Sequence, residues 1–207
     1  MSRTNPTVFL NEYTYKKGTE IYGEKEPADY VYQVKIGAAR SYKLLSDGRR
    51  LIGAFHLVGD IFGSTGGGEN HRFTTEAVVD TTLRLIKRQS LDLMAKEDAV
   101  LTRNLLGVTA KSLRHAEDQM LLLGRKGALE RVAGFLLEMD KRLATAGAMT
   151  LPMGRHDIAD HLGLTLETVS RSLSRLRRTG AISFIGYRQR DIILVNREQL
   201  RSLDLQG

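Results

Sequence analysis

The chain of 207 residues contains no cysteine. That absence excludes a disulfide framework, a thiolate nucleophile, a cysteine-ligated zinc and a cysteine-held iron–sulfur cluster. Nor does any stretch approach the roughly 18 consecutive apolar residues that a membrane-spanning helix needs. The N-terminal segment MSRTNPTVFLNEYTYKK lacks the apolar core of a secretory signal, so a cytoplasmic chain with no membrane partner is expected. His56, His71, His115, His156 and His161 stand apart without metal-ligand spacing, and no metal or cofactor is expected. No Gly-Lys-Ser/Thr follows the triplet Gly66-Gly67-Gly68, which is therefore not a phosphate loop. His56, Asp60 and Ser64 are residue types of a hydrolase triad, but Ser64 has no Gly-x-Ser-x-Gly elbow. An enzyme is not expected.

What is present is a globular composition with a basic excess. Hydrophobic residues make up 42% and charged residues 27%, enough for a core and a solvated surface. Thirty-one basic residues face 24 acidic ones, a net charge of +7, with a pI near 9.7. Such a balance suits a polyanion, nucleic acid first. Charge alone leaves a merely basic surface equally open, so its placement must decide.

Residues 1–90 read as short strands and turns. Tyr30–Val34, Leu51–Phe55, Ala77–Val79 and Thr82–Ile86 are apolar or β-branched runs punctuated by glycines. Ser46-Asp47-Gly48 is a hairpin turn signal. Short strands about ten residues apart suggest a small β barrel or roll. From about Ser90 the period becomes helical. Leu106, Thr109, Leu113, Ala116, Met120 and Leu123 recur at three- and four-residue spacing, an a/d seam expected to form a homodimer contact. Gly124-Arg125-Lys126-Gly127 breaks this helix, and a second runs from Ala128 to about Ala144 with Val132, Phe135, Leu136 and Met139 inward. The expected domains are 1–97, a sensor-like roll; 98–124, a dimerisation helix; and 125–207, a C-terminal domain whose residues 148–207 form a compact basic unit.

The informative stretch is RHDIADHLGLTLETVSRSLSRLRR, residues 155–178. A short helix holding Ile158, Ala159 and Leu162 should stop at Gly163, and a second should start after Thr165, whose hydroxyl can cap it. This spacing marks a helix-turn-helix. Leu166, Val169, Leu173 and Leu176, spaced three, four and three, should face the core, and Glu167, Ser170, Arg171 and Ser174 the solvent. Arg171 can bond both major-groove acceptors of guanine, Glu167 can accept from the cytosine amine, and Ser170 can touch a base edge or a thymine methyl. Thr165, Thr168, Ser174, Arg175, Arg177 and Arg178 are expected at phosphates, which fix position without reading sequence. Ala181–Ile185 and Asp191–Val195 around a Gly-and-Arg tip form a hairpin, a wing that places Arg188 and Arg190 near the DNA backbone. A bare structural hairpin is the alternative for those two arginines.

With these residues in view, the whole chain from about residue 15 resembles the Crp/Fnr superfamily of transcription regulators. In the N-terminal half the matching residues include Gly18, Ile21–Glu24, Pro27–Tyr30, Gly37, Leu45–Arg49 and Phe55–Gly63. Leu166-Glu167-Thr168-Val169-Ser170-Arg171 is similar to the E-x-x-S-R motif of the Fnr-like branch. With His115–Asp118 and Met120–Lys126 added, the chain is closest to the FixK type. The resemblance implies an α+β fold: a cyclic-nucleotide-binding-type β roll, a long dimerisation helix and a C-terminal winged helix-turn-helix. It also implies a homodimer on double-stranded DNA, at a TTGA-N6-TCAA palindrome of the type TTGAT-N4-ATCAA. Glu167, Ser170 and Arg171 would read each half-site, and activation would go through RNA polymerase. Promoters of that type serve low-oxygen respiration, denitrification or nitrogen fixation.

The chain departs from the family in three places. Ser172 stands where many helix-turn-helix proteins carry an aliphatic residue, leaving Leu173 and Leu176 to anchor the helix. Without cysteines, oxygen sensing through an iron–sulfur cluster is excluded. The stretch Gly66–Thr74 lacks the Arg-Ser pair that holds a cyclic phosphate in cyclic-AMP receptors; Arg72 is expected at the surface, with an anion contact as its alternative. The leading reading is a regulator set by its own amount. A regulator gated by a nucleotide, a haem on His71 or His115, or a small anion in the roll stays open.

Overall fold

A computed structural model describes residues 11–63, 69–124, 127–143, 148–186 and 190–205, with the side chains of 204 and 205 excepted. The first strands are β1 (Asn11–Tyr15), β2 (Glu20–Tyr22), β3 (Tyr30–Ile36), β4 (Ala39–Leu44) and β5 (Arg50–His56). They are followed by β6 (Ile61–Phe62), β7 (Thr74–Ala77) and β8 (Thr81–Lys87), then α1 (Arg88–Glu97) and α2 (Ala99–Gly124). The remainder is α3 (Ala128–Leu143), β9 (Ala148–Thr150), α4 (Arg155–Leu162), α5 (Leu166–Arg178), β10 (Ile182–Ile185), β11 (Asp191–Leu194) and α6 (Arg197–Leu205). Contacts divide the chain into two compact units, 1–43 with 53–113 and 44–52 with 114–207. The boundaries fall within β4, β5 and α2.

Two four-stranded sheets, ordered β1-β8-β3-β6 and β2-β7-β4-β5, form a roll, of which residues 44–52 group with the second unit. Tyr22, Tyr32, Val34, Ala39, Phe62 and Leu83, drawn from both sheets, close its interior. β3 alternates faces as a strand buried on both sides must. Tyr32 and Val34 point inward, whereas Val31 joins Ile86 and Leu91 in a second cluster that Leu101 and Leu105 of α2 help cover. At Gly48, φ is +82°, the left-handed turn that the Ser46-Asp47-Gly48 signal predicts. One strand expectation fails. Of Ala77-Val78-Val79 only Ala77 is in a strand; Val78 and Val79 form the bend into β8, with the Val78 N–H on the Ala38 carbonyl at 2.8 Å. The run is β-branched, but its backbone amide is used by a loop rather than a ladder.

Rings fill the roll. His71 stacks on Tyr22 at 3.6 Å between centroids, Tyr22 tilts against Tyr32 at 5.3 Å, Tyr32 stacks on Phe62 at 5.3 Å, and Phe62 on His56 at 4.2 Å. Burial pushes the Tyr32 phenol up and holds the His71 imidazole below its ordinary value. Polar groups here meet one another: Ser41 Oγ lies 2.7 Å from both His56 Nε2 and Thr75 Oγ1, and Arg40 is ion-paired with Glu76. Arg72 is exposed, as expected.

The α2 helix starts on Asp98, whose carboxylate accepts from the Val100 and Leu101 amides at 2.8 and 3.1 Å. In the second unit α3 buries Val132, Phe135, Leu136 and Met139 completely, as their spacing predicts. It packs on α5 and α6 beside the sheet β10-β11-β9. The hinge residues 125–126 and the helix end 144–147 lie outside the described residues.

Candidate nucleic-acid interface

Two short helices set the site. α4 ends on Gly163 at φ +62°, where a side chain would be strained. α5 begins on Thr165, whose hydroxyl accepts the Thr168 N–H at 3.2 Å, the cap that the sequence predicts. Val169, Leu173 and Leu176 are buried and hold α5 onto α4 and α3. Leu166, expected to face the core, is only half-buried because it lies on the first turn. Ser172, by contrast, is buried at 7% exposure and belongs to the inner face beside Leu173. Burying a hydroxyl is tolerable in a helix, where backbone carbonyls of the preceding turn lie within reach.

The outer face gathers Glu167, Arg171, Ser174, Arg175 and Arg178, all exposed. At the helix start the Glu167 carboxylate takes hydrogen bonds from its own backbone N–H and the Thr165 hydroxyl. Arg171, one turn on, and His156 add positive charge, and together these groups hold it below its ordinary value. Ser170 and Thr168 are half-buried at the flanks of this face. Arg177 turns toward the wing, its guanidinium 5.9 Å from the centre of the Phe184 ring. Among the described residues none of Arg171, Arg175, Arg177 and Arg178 forms a salt bridge.

In the wing, β10 pairs with β11 from Ile182–Leu194 to Ile185–Asp191. β9, which the sequence did not suggest, pairs on the far side of β11. Arg190 is exposed, and its Nη1 approaches the Pro152 carbonyl at 3.5 Å. Arg188 lies outside the described residues.

Sequence reasoning missed the groups that hold α4. Arg50 of the β4–β5 hairpin donates from Nη2 to Asp157 at 2.7 Å and from Nε to Asp160 at 2.9 Å. At the other end of α4, Gln119 donates to the His161 carbonyl at 2.8 Å and Arg131 to the Leu162 carbonyl at 3.1 Å, capping carbonyls that the helix leaves open. The His161 ring is buried, with Nδ1 3.0 Å from the Ile52 carbonyl, and burial lowers its pKa. Arg155, the first residue of α4, donates to the Ser170 hydroxyl at 3.2 Å. Its only advance signal was a basic residue opening the first helix.

The α2 seam is mostly open. Leu106, Leu113 and Met120 are 60–67% exposed, and Thr109 and Ala116 are exposed too. Leu123 departs from the expectation: it is half-buried and lies beside Gly163 of its own chain. Leu121, outside the a/d set, is 62% exposed. Among the described residues no group of histidines and carboxylates is arranged to hold a metal ion, and no helix is long and apolar enough to cross a membrane.

The cyclic nucleotide-binding domain family matches residues 12–98, and the Crp-like helix-turn-helix domain family matches 130–203. The nitrogen fixation regulation protein FixK of Rhizobium meliloti (strain 1021) is 42% identical over 190 residues, covering 92% of this chain and 85% of the relative. The chain belongs to the Crp/Fnr family, FixK type. A FixK protein of Azorhizobium caulinodans is 44% identical over 92% of this chain and 77% of its own length. The solved structure of FixK2 from Bradyrhizobium japonicum is 60% identical, with a TM-score of 0.90 over 95% of this chain and 98% of that one. The FixK-type chain is thus a transcription regulator with a DNA-binding helix-turn-helix, and its α+β fold of roll, long helix and winged unit is the one its motifs implied.

Proposed function

We propose that this FixK-type regulator acts in the cytoplasm as a homodimer that binds a TTGA-N6-TCAA-type palindrome without a bound cofactor. It activates genes of microaerobic or anaerobic respiration, denitrification or nitrogen fixation through contacts with RNA polymerase. The observation that carries the reading is the exposed face of α5, where Glu167 and Arg171 sit one turn apart on a helix locked by Val169, Leu173 and Leu176. Glu167, Ser170 and Arg171 read bases. Thr165, Thr168, Ser174, Arg175, Arg177, Arg178, Arg188 and Arg190 contact phosphates. Leu106, Thr109, Leu113, Ala116 and Met120 supply the dimer seam, with Leu123 at its edge, since an apolar stripe this open calls for a partner. The interlocked rings and paired polar groups of the roll support an activity that needs no ligand there.

Footprinting on TTGA-N6-TCAA DNA, with protein purified without added ligand, tests the whole reading. Protection of both half-sites is expected. Protection that requires an added nucleotide, or that tracks a chromophore in the purified protein, overturns the ligand-free part.

A further inference from the structure

The Arg155–Ser170 contact bears on what α5 can recognise, provided that α5 is the recognition helix of the reading above. A guanidinium has five N–H donors and no acceptor. In the bond from Arg155 Nη1 the Ser170 oxygen must therefore be the acceptor, at 3.2 Å. A hydroxyl that accepts once keeps its own hydrogen to donate and one further lone pair. Ser170 is half-buried on the flank of the face that carries Glu167 and Arg171, so part of it faces the same groove. Arg155 also brings a positive charge to the oxygen, which makes the hydroxyl a better donor and a poorer acceptor.

We propose that Arg155 is a positioning residue that biases the polarity of Ser170, turning its hydroxyl toward donation to an acceptor on a base edge. In the major groove those acceptors are the purine N7, guanine O6 and thymine O4, whereas cytosine offers an amine, which meets only the lone pair that the Arg155 charge weakens. The contact therefore selects against cytosine at one base pair of each half-site. Glu167, an acceptor one turn before Arg171, has the complementary preference, so α5 carries both hydrogen-bond polarities on one face.

The test is a binding selection over all bases of the half-site, with the full chain and four variants: Ser170→Ala, Arg155→Ala, Arg155→Lys and the Arg155→Ala/Ser170→Ala pair. Ser170→Ala identifies the base pair concerned by erasing its preference. Arg155→Ala is expected to lower discrimination at that same base pair about three- to tenfold, the value of one hydrogen bond. The double variant should be no worse there than Ser170→Ala alone, and Arg155→Lys, which also only donates, should restore most of the preference. At that position, 7-deazapurine or a thymine analogue lacking O4 should weaken the parent protein and leave Ser170→Ala unaffected.

If Arg155→Ala weakens binding to all sequences alike and the preference at the Ser170 base pair persists, Arg155 is a phosphate contact and the proposal fails. It fails equally if the acceptor-deleted bases bind the parent normally. Arg171→Ala serves as the reference arm. If that variant also leaves every base preference intact, α5 does not read DNA and the underlying reading falls; if it shifts its own position while Arg155→Ala does not, only the positioning role falls.

Discussion

The roll and the recognition helix dispose of charge in opposite ways. Inside and around the roll, polar groups are matched within the chain: Arg40 with Glu76, Ser41 with His56 and Thr75, Lys43 with Glu24 at 2.7 Å. On α5 the arginines at 171, 175 and 178 lie exposed, and among the described residues none is salt-bridged. A surface left unmatched by its own protein is matched by something else, and for three arginines near one glutamate a polyanion is the fitting counterpart. The roll matches the cyclic nucleotide-binding domain family, and its rings and hydroxyls make contacts with one another.

The largest effect separating the two regions should come from Glu76→Ala. Arg40 and Glu76 have side chains only 13% and 16% exposed, so removing the carboxylate should cost about 2–4 kcal/mol of stability. Chemical denaturation should record that loss while base preference on DNA stays the same. Arg171→Ala should do the reverse, costing about 1–3 kcal/mol of binding per half-site and relaxing the preference at guanine, with an unaltered unfolding midpoint. An unchanged preference would remove Arg171 from the base-reading set.

Acid should weaken the fold through its buried rings. Burial holds His161 and His71 below the ordinary value of 6.5, so the folded chain resists protons that the unfolded chain binds. Stability is then full above 6.5 and falls as pH drops below it, by up to about 1.4 kcal/mol per pH unit for each ring. Around His161 the Ile52 carbonyl and Glu138 favour protonation, while Arg142 and His115 oppose it, and burial outweighs them. In denaturation curves between pH 7.5 and 5, His161→Asn should flatten the slope; an equal slope in both proteins would place the acid sensitivity elsewhere. Smaller still, Arg178→Ala should weaken binding to every sequence alike and lower the salt dependence by about one unit per protomer. Altered base choice would contradict a phosphate role. Lys16→Ala should leave the unfolding midpoint in place, since both partners of its bond to Asp80 are open to water.

What could be seen in the residues alone depended on how locally each feature is encoded. The α5 stripes were legible because one helix contains all of them, and its cap needed only Thr165 and Thr168. The inward position of Ser172 was not, because a lone hydroxyl next to Leu173 gives no sign of how wide the buried face is. Leu123 kept the seam's period yet turned partly toward Gly163, a contact from another segment. The ring column of the roll draws on five separate segments, and Arg50 reaches carboxylates more than a hundred positions away in the chain. Period and capping report on neighbours in sequence, and say nothing about such encounters.

Gln119 and Met120 are consecutive residues with different attachments. The first is bonded to the end of α4; the second stands 67% exposed on the α2 seam. On an α-helix each step turns the side chain by about 100°. If two copies meet along that seam, the angular phase between the dimer axis and α4 is set by the offset between the seam positions up to Ala116 and Gln119. Operator spacing then becomes a matter of rotation as much as of length. One residue inserted between Ala116 and Gln119 would swing α4 around the axis by about 100° while moving it only about 1.5 Å along it. The two recognition helices would then face away from the successive grooves of a palindrome.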